Sequence, residues 1–450
     1  MKYYLPILAV EFYLCTTLLI FEFGPVSYRL DSPLLFWGFI FSYHISMVLG
    51  YVVACETRRR RIQQGLQNER YSGALVWLLI FASIMASLIG HRNITGSEEL
   101  IPYGLLDDVI NGITNPEEQY IKKMEIVLNA SYTGDKLMNM LYFFIAPAKI
   151  LIIPVLVFYW GNMGPLARLF ALFASVLPVL SGLATGTNKP AFDFAIFYGS
   201  SLVVYFLLNY FNYGRFGFFQ RKFFVIVALV AMVGAVVFFG NSMLNRGGDV
   251  SYIESISPLG DIKITSEIDV SDGLGGFLMY TFVWLSSYVV QGYYGFSLAL
   301  TQDFTSTLGV GNSQFLMRQF EWVTGIDVSE LTYQHKVDAW WGETAQWHSF
   351  YSHIANDYHF VGVAFWCLVL GFYLAKLWVS IIDDNNLYAK LMIPLFAVMV
   401  VFMPANNQVF GFLETFSAFF VLTVLWLHSV LKTRRQVRSV TEPARQGFNI

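Results

Sequence analysis

Residues 223–243 read FFVIVALVAMVGAVVFFGNSM, a run without a charged side chain that directly follows Arg221 and Lys222. A helix needs about 20 apolar residues to cross the ~30 Å hydrocarbon core of a bilayer. Runs of this length recur along the chain, so the sequence predicts an all-α polytopic membrane protein that forms a single integral membrane domain over residues 1–450. The ten predicted spans are 3–23, 34–55, 72–90, 137–160, 168–186, 190–211, 223–243, 352–380, 391–409 and 411–431.

The composition agrees with a membrane environment and argues against a water-soluble enzyme. Hydrophobic residues make up 56% of the 450 positions, charged residues make up 13%, and the mean hydropathy is +0.53. The three cysteines lie in or beside apolar runs, which is not the pattern of a disulfide framework. Residues 3–23 lack a small-residue cleavage site, so we expect an uncleaved first span with the amino terminus inside.

The apolar stretch 276–300 is the difficult case, because it contains Gln291, Gly292 and several serines. If it does not cross, both termini are cytoplasmic and most basic residues, including those of a tail at 432–450, fall on the inner side, as the positive-inside tendency requires. We therefore expect a re-entrant or interfacial element at 276–300. This topology, in a bacterial inner membrane, predicts two periplasmic loops, at 91–136 and at 244–351.

Histidines and aromatic residues cluster where the second periplasmic loop meets the eighth predicted span. His335, His348, His353 and His359 fall in this window, together with Trp347, Tyr351 and several carboxylates. Such a mixture can move protons and can stack on sugar rings, which is typical of a carbohydrate groove. The alternative is an aromatic belt at the membrane interface with hydrogen-bonded histidines.

Within this window, helical spacing places His353, Asn356 and Asp357 on one face, with His359 one turn after Asn356. Polar groups at this depth are costly unless they are paired or line a wet cavity. We therefore take His353 and Asp357, with His348 in reserve, as candidates for a catalytic base or an acceptor-orienting group. The histidine spacing lacks the pair of a zinc metalloprotease, so we predict no metal site.

Basic residues on the outer side form a second group of candidates. Arg246, Lys189 and Arg318 could bind an anionic diphosphate, and each could instead contact lipid headgroups. Lys149 lies within a predicted span, so it should face the bundle interior or extend to the interface. The glycine-rich segments lack the GKS or GKT ending of a phosphate loop, and no nucleotide site is predicted.

Several segments between about 180 and 380 resemble the Wzy-type oligosaccharide repeat-unit polymerases. The resemblance lies in Tyr288-Val-Val-Gln-Gly-Tyr-Tyr-Gly295, in Gly309-Val-Gly-Asn-Ser313, in the Thr185–Lys189 turn and in the stretch 347–365. Lysine stands at 189 where some members have arginine. The Arg-x10-Gly pattern of some members is absent at Arg246 and Arg318.

The resemblance implies a metal-independent, GT-C-like membrane glycosyltransferase without a cofactor. It would polymerise undecaprenyl-diphosphate-linked repeat units into O-antigen or capsule polysaccharide at the periplasmic face, with a chain-length regulator as a partner and no nucleic acid. On this interpretation, diphosphate is bound by Arg246, Arg318 and Lys189, sugars are bound by Trp347, Tyr351, Tyr293 and Tyr294, and catalysis uses His353, Asp357 or His348.

Three other functions remain open at this point. An O-antigen ligase or another lipid-linked-sugar transferase would share the architecture and much of the chemistry. A polysaccharide transporter or flippase is disfavoured, because the charges lie in outer loops rather than in mid-span pairs and no inverted repeat with broken helices is visible. A membrane O-acyltransferase is suggested by histidine in apolar surroundings.

Overall fold

The computed structural model describes residues 1–57, 72–129, 136–214, 218–247, 249–265 and 273–446. The regular secondary structure of the described chain is helical apart from one two-stranded sheet, which confirms the all-α prediction. The helices are α1 Leu5–Phe23, α2 Pro33–Glu56, α3 Gly73–Thr95, α4 Leu105–Thr114, α5 Pro116–Asn129, α6 Lys136–Ile145, α7 Ala148–Tyr159, α8 Pro165–Ala184, α9 Lys189–Tyr213, α10 Phe218–Gly247, α11 Tyr252–Ser255, α12 Gly273–Ala299, α13 Gln314–Thr324, α14 Tyr333–Lys336, α15 Phe350–Asp384, α16 Leu387–Phe402 and α17 Leu413–Gln446; the strands are β1 Val26–Tyr28 and β2 Ile262–Ile264.

By helix length and hydropathy the chain is a multi-pass membrane protein. Within the described ranges, ten helices are long and apolar enough to cross a bilayer. Of the predicted inner basic residues, Arg58–Arg61, Arg70 and Arg215 lie outside the described residues, and so do the side chains of the tail beyond Lys432. The ten candidate spans are Leu5–Phe23, Pro33–Glu56, Gly73–Thr95, Leu137–Asn162, Pro165–Ala184, Lys189–Tyr213, Lys222–Arg246, Gly273–Ala299, Phe350–Asp384 and Leu413–Lys432.

The observed helices differ from the predictions in two stretches. The helix expected at 391–409 is Leu387–Phe402, with 16 residues, and it is followed by a non-helical turn at 403–412. Pro404 and the neighbouring asparagines explain this end, because proline and asparagine disfavour the helix interior. The stretch 276–300 lies instead in the continuous 27-residue helix α12.

Contacts from both halves of α12 reach the same end of the bundle. We call this end, which carries the sheet, α4, α5 and the segment 300–349, the outer face. Towards the start of α12, Thr281 lies against Gly240, near the outer end of α10. Further along, Tyr293 Oη lies 3.0 Å from Thr17 Oγ1, and the Tyr294 ring packs on Tyr28 of β1. These contacts are the ones expected of a re-entrant or interfacial helix. The position of α12 in a bilayer remains a prediction.

The sheet joins the loop after α1 to a segment in the middle of the chain. β1 pairs antiparallel with β2 in the register Val26↔Ile264, Ser27↔Lys263 and Tyr28↔Ile262. Beneath it, α2 packs closely on α15 through two glycines. A Cβ on Gly50 would lie 1.9 Å from the Leu368 carbonyl oxygen, and one on Gly371 would lie 2.0 Å from that of Met47. Small residues thus allow the two backbones to touch, as is common between membrane helices.

Helix α15 contains a kink that affects the predicted polar face. His359 has φ 55° and ψ 164° inside the helix, so the turn after Asp357 is not helical. The predicted alignment of His353, Asn356 and Asp357 lies before the kink and keeps helical spacing. The prediction that His359 continues this face was wrong, because the kink turns the chain there.

Candidate functional site

A cavity of about 220 Å³ opens near the outer face among α3, α5, α7, α8, α9 and the start of α17. Its lining contains three lysines, Lys123, Lys149 and Lys189. The three lysines come from three different helices. Lys123 lies on the polar helix α5, Lys149 lies on the apolar helix α7, and Lys189 is the first residue of α9. The cavity therefore gathers positive charge that is scattered along the chain.

The turn between α8 and α9 forms the wall that holds Arg246 and Lys123. An Nη atom of Arg246 donates a hydrogen bond to the Gly186 carbonyl oxygen, and the guanidinium lies 3.9 Å from the centre of the Tyr120 ring. Lys123 Nζ donates to Thr187 Oγ1 at 3.1 Å. Both cations are therefore anchored to one short turn, which fixes them next to each other.

Gly186 is required in this turn. Its φ is +59°, in the region that favours glycine, and a Cβ there would lie 2.3 Å from the Pro116 carbonyl oxygen. The glycine thus lets the turn pass against the start of α5. This contact places α5, and with it Lys123, at the edge of the cavity.

Two carboxylates accompany the cations. Lys189 Nζ lies 2.5 Å from Asp193 Oδ2, one helical turn further along α9. Lys149 Nζ lies 3.1 Å from Glu414 Oε1, and the same oxygen accepts a hydrogen bond from the Tyr142 hydroxyl at 2.5 Å. The ammonium predicted to need a partner inside a span thus has one, which is contributed by α17.

The cavity carries more positive than negative charge. Lys123, Lys149 and Lys189 line the cavity with Asp193 and Glu414, and Arg246 lies beside it with Glu117 nearby, so four cations stand against three carboxylates among these groups. Burial, followed by the nearby charges of Arg246 and Lys189, lowers the pKa of Lys123 to about 8. Such crowding of like charges in a partly buried space is costly, and an anion in the cavity would relieve it.

Three buried polar atoms without hydrogen-bond partners lie in or beside the cavity. His91 Nδ1, Asp193 Oδ1 and Arg246 Nε are buried and make no hydrogen bond. His91 and Asp193 line the cavity, and Arg246 bonds to its wall. Buried polar atoms are nearly always paired, so these three are unusual; others, including both ring nitrogens of His348, lie outside the cavity.

The three cations predicted from sequence are not all together. Lys189 lines the cavity and Arg246 holds its wall. Arg318 is exposed on α13 and is not among the cavity-lining residues. Its helix packs nearby, since the Phe315 ring contacts Phe143 and Phe416. The structure thus joins two of the predicted diphosphate ligands and leaves the third at the surface.

Asp357 acts as the anchor of a loop. Its two oxygens accept hydrogen bonds from Thr307 Oγ1 at 2.5 Å, from Asn312 Nδ2 at 2.7 Å, and from the backbone N–H groups of Gly309, Gly311 and Asn312 at 2.9 to 3.2 Å. These five donors use the lone pairs that a general base would need. The geometry favours a structural role, and the catalytic role of Asp357 stays a prediction.

The clustered histidines divide into exposed and buried members. His335 is exposed and lies 2.9 Å from Glu343. His348 is buried beside Trp341, and burial, with His353 nearby, lowers its pKa to about 3, so its ring is neutral at physiological pH. His353 is buried and hydrogen-bonds Asn406. Neither buried histidine is among the residues that line the cavity.

The predicted sugar-binding aromatics belong largely to a packed core. Tyr293, Tyr294 and Tyr351 are fully buried, and Tyr294 packs edge-on against Trp341 at 5.0 Å. Trp347 is half-buried between Tyr288 and Phe402. Buried rings offer no face to a sugar, so of these four residues Trp347 is the one with an accessible side chain. The role of all four in sugar binding stays a prediction.

A possible metal-ligating group lies elsewhere, between α1 and α2. Donor atoms of Glu11, Cys15 and His44 lie within 4.8 Å of one another. Glu11 Oε2 already bonds His44 Nδ1 at 2.6 Å, and Cys15 is exposed on the outside of the bundle. The simplest interpretation is a hydrogen-bonded pair between two polar side chains within apolar helices, in which Glu11 Oε1 and His44 Nε2 are buried without a hydrogen-bond partner.

Sequence reasoning missed the partners of the predicted cations. Lys123 stands in the polar stretch EEQYIKKMEI, which looks like a solvated helix. Glu414 lies 265 residues from Lys149, and His91 stands apart from the other outer histidines. No local pattern signals such long-range pairings. Searches against protein families, curated proteins and solved structures find no match for this chain.

Proposed function

We propose that this protein polymerises lipid-diphosphate-linked oligosaccharide repeat units by glycosyl transfer, at the periplasmic face of a bacterial inner membrane. The observation that carries the proposal is the cavity at the outer face, where cations outnumber carboxylates and buried polar atoms lack partners. The resemblance to Wzy-type polymerases supplies the reaction class. The cavity supplies a place for the anionic leaving group.

Glycosyl transfer from a lipid diphosphate needs cations where the leaving group departs. As the bond between the anomeric carbon and the diphosphate oxygen breaks, negative charge builds up on the diphosphate. Fixed cations in a partly buried site stabilise that charge more strongly than water does. In this arrangement Lys123, Lys189 and Arg246 bind the diphosphate. The Arg246 guanidinium can donate two parallel hydrogen bonds to phosphate oxygens.

This arrangement changes one of the roles assigned from sequence. Lys123 takes the place of Arg318 in the diphosphate site, because it lines the cavity beside Arg246 whereas Arg318 is exposed. Lys149 belongs to the opposite wall, where it pairs with Glu414. The cavity itself contains no metal-ligating cysteine, and the proposed chemistry requires no metal or cofactor.

The test is the glycan ladder of cells that lack the gene and carry a plasmid copy. The null strain should show single repeat units, and wild type should restore the ladder. Lys123→Met and Arg246→Met should fail at normal expression, and Arg318→Met is the matched control that keeps an outer cation outside the cavity. An unchanged ladder in the null strain would refute the proposal. Full-length polymer that stays on its lipid would identify a ligase.

A further inference from the structure

Asp193 has two carboxylate oxygens in different situations. Oδ2 lies 2.5 Å from Lys189 Nζ, whereas Oδ1 is buried and makes no hydrogen bond. The side chain is 17% exposed, and the residue lines the cavity. A helix-stabilising pair between residues four apart accounts for Oδ2. It does not account for a buried carboxylate oxygen without a donor.

The other proton acceptors of the cavity are less available. Glu414 Oε1 already accepts from Tyr142 and from Lys149. His91 is buried, and a proton on its neutral ring would create a buried positive charge, which is costly. Asp193 is the cavity carboxylate with a buried oxygen that has no hydrogen-bond partner, and taking a proton neutralises its charge.

We propose that Asp193 accepts the proton of the attacking hydroxyl group during glycosyl transfer, an inference that rests on the proposed function. The acceptor oxygen forms a bond with the anomeric carbon of the donor. The bond from that carbon to the diphosphate oxygen breaks, and the electron pair leaves with the diphosphate. The hydroxyl proton passes to the Asp193 carboxylate. The products are the lengthened glycan, the free lipid diphosphate and a protonated Asp193.

The Lys189–Asp193 pair connects donor binding to this step. In the empty cavity the Lys189 ammonium is held by Asp193. A bound diphosphate carries more negative charge and competes for the same ammonium. As Lys189 turns to the diphosphate, Asp193 loses its counter-ion and becomes free to take a proton. The carboxylate is thus engaged before the donor binds and released afterwards.

The test compares Asp193→Asn with wild type in two assays. Asparagine keeps the shape and an oxygen for Lys189 but cannot take the proton. The rate of ladder growth in complemented cells should fall at least about 100-fold, which is the usual contribution of a general base. The affinity of purified protein for farnesyl diphosphate should stay the same or rise, because a negative charge beside the anion is removed. Asp193→Glu should restore part of the rate.

Several results would overturn this inference. Asp193→Asn with a normal rate would exclude Asp193 as the acceptor. Equal losses of rate and of farnesyl diphosphate affinity would show that Asp193 merely shapes the cavity. A His91→Gln variant that loses the rate while it keeps the affinity, beside an active Asp193→Asn, would assign the proton to His91. Failure of the proposed function is distinct, because the null strain would then keep its ladder and wild type would not bind farnesyl diphosphate.

Discussion

Lys123→Arg should remove most of the pH dependence of diphosphate binding between pH 7 and pH 9. The pKa of Lys123 is lowered to about 8 by burial and by the charges of Arg246 and Lys189. A group with this pKa is about 90% protonated at pH 7 and about 10% protonated at pH 9. Because the anion binds the charged form, affinity is greatest below the pKa and is lost as the pH rises through it.

The size of the effect follows from the protonated fraction. The affinity of wild type for farnesyl diphosphate should fall about tenfold from pH 7 to pH 9, which corresponds to about 1.4 kcal/mol. Arginine keeps its charge throughout this range, so Lys123→Arg should retain its pH 7 affinity at pH 9. Any change that titration of the ligand causes is common to both proteins and cancels in their comparison.

The assay is a titration of purified protein in lipid nanodiscs with farnesyl diphosphate, followed by tryptophan fluorescence or thermophoresis. Lys123→Met is the third variant, and it should bind weakly at every pH. Charged hydrogen bonds contribute about 1.5–3 kcal/mol, so the methionine variant should lose roughly 10- to 150-fold in affinity at pH 7. A wild-type affinity that does not change with pH, or a fall in affinity that is identical in Lys123→Arg, would show that titration of Lys123 does not control diphosphate binding.

Three further changes test the other structural assignments. Asp357→Asn should lower the free energy of unfolding by about 2–4 kcal/mol, measured by thermal unfolding in detergent, whereas the exposed control Glu330→Gln should change it by less than about 0.5 kcal/mol. His348→Gln should leave the pH profile of polymer synthesis between pH 5 and 8 unchanged, because a ring with a pKa of about 3 does not titrate there; a shifted profile would return His348 to the site. Gly186→Ala should abolish the ladder by displacing the turn that holds Lys123 and Arg246, and Gly199→Ala, where a Cβ meets open space, should preserve it; equal ladders in both would show that the turn is not needed.

The membrane architecture could be predicted from sequence because apolar length is a local property. Most predicted spans correspond to helices within a few residues. The errors fall where local and tertiary effects compete. Residues 391–409 are apolar enough for a span, yet Pro404 and the following asparagines end the helix at Phe402. The kink at His359 follows Asn356 and Asp357, which are weak helix formers, but these residues do not specify where in the helix the chain turns.

The candidate site could be predicted only in part, for a similar reason. Lys189 and Arg246 stood out because each follows or begins an apolar run at the outer side. Their assembly with Lys123 depends on the turn at Gly186, which contacts the start of α5. This contact cannot be predicted from a single sequence. Arg318 lies within the second predicted periplasmic loop and is exposed on its helix.

The residue types of the histidine and aromatic cluster also suit the packing of a folded loop region. An irregular segment such as 300–349 needs large rings to fill its interior and polar side chains to pair its backbone groups. Tyr351 is one of the large buried rings. Asn356 pairs backbone groups, since its Oδ1 accepts a hydrogen bond from the Tyr333 N–H and its Nδ2 donates one to the Gly311 carbonyl. Residue types that suggest a carbohydrate groove are therefore also those that build the outer region.

The central claim is that the cavity beside Lys123, Lys189 and Arg246 holds the lipid diphosphate. The most direct test is an electron cryo-microscopy map of the protein in nanodiscs with undecaprenyl diphosphate. We expect diphosphate density within hydrogen-bond distance of Lys123 Nζ, Lys189 Nζ and the Arg246 guanidinium. Density at Arg318, or beside Trp347 and outside the cavity, would contradict it.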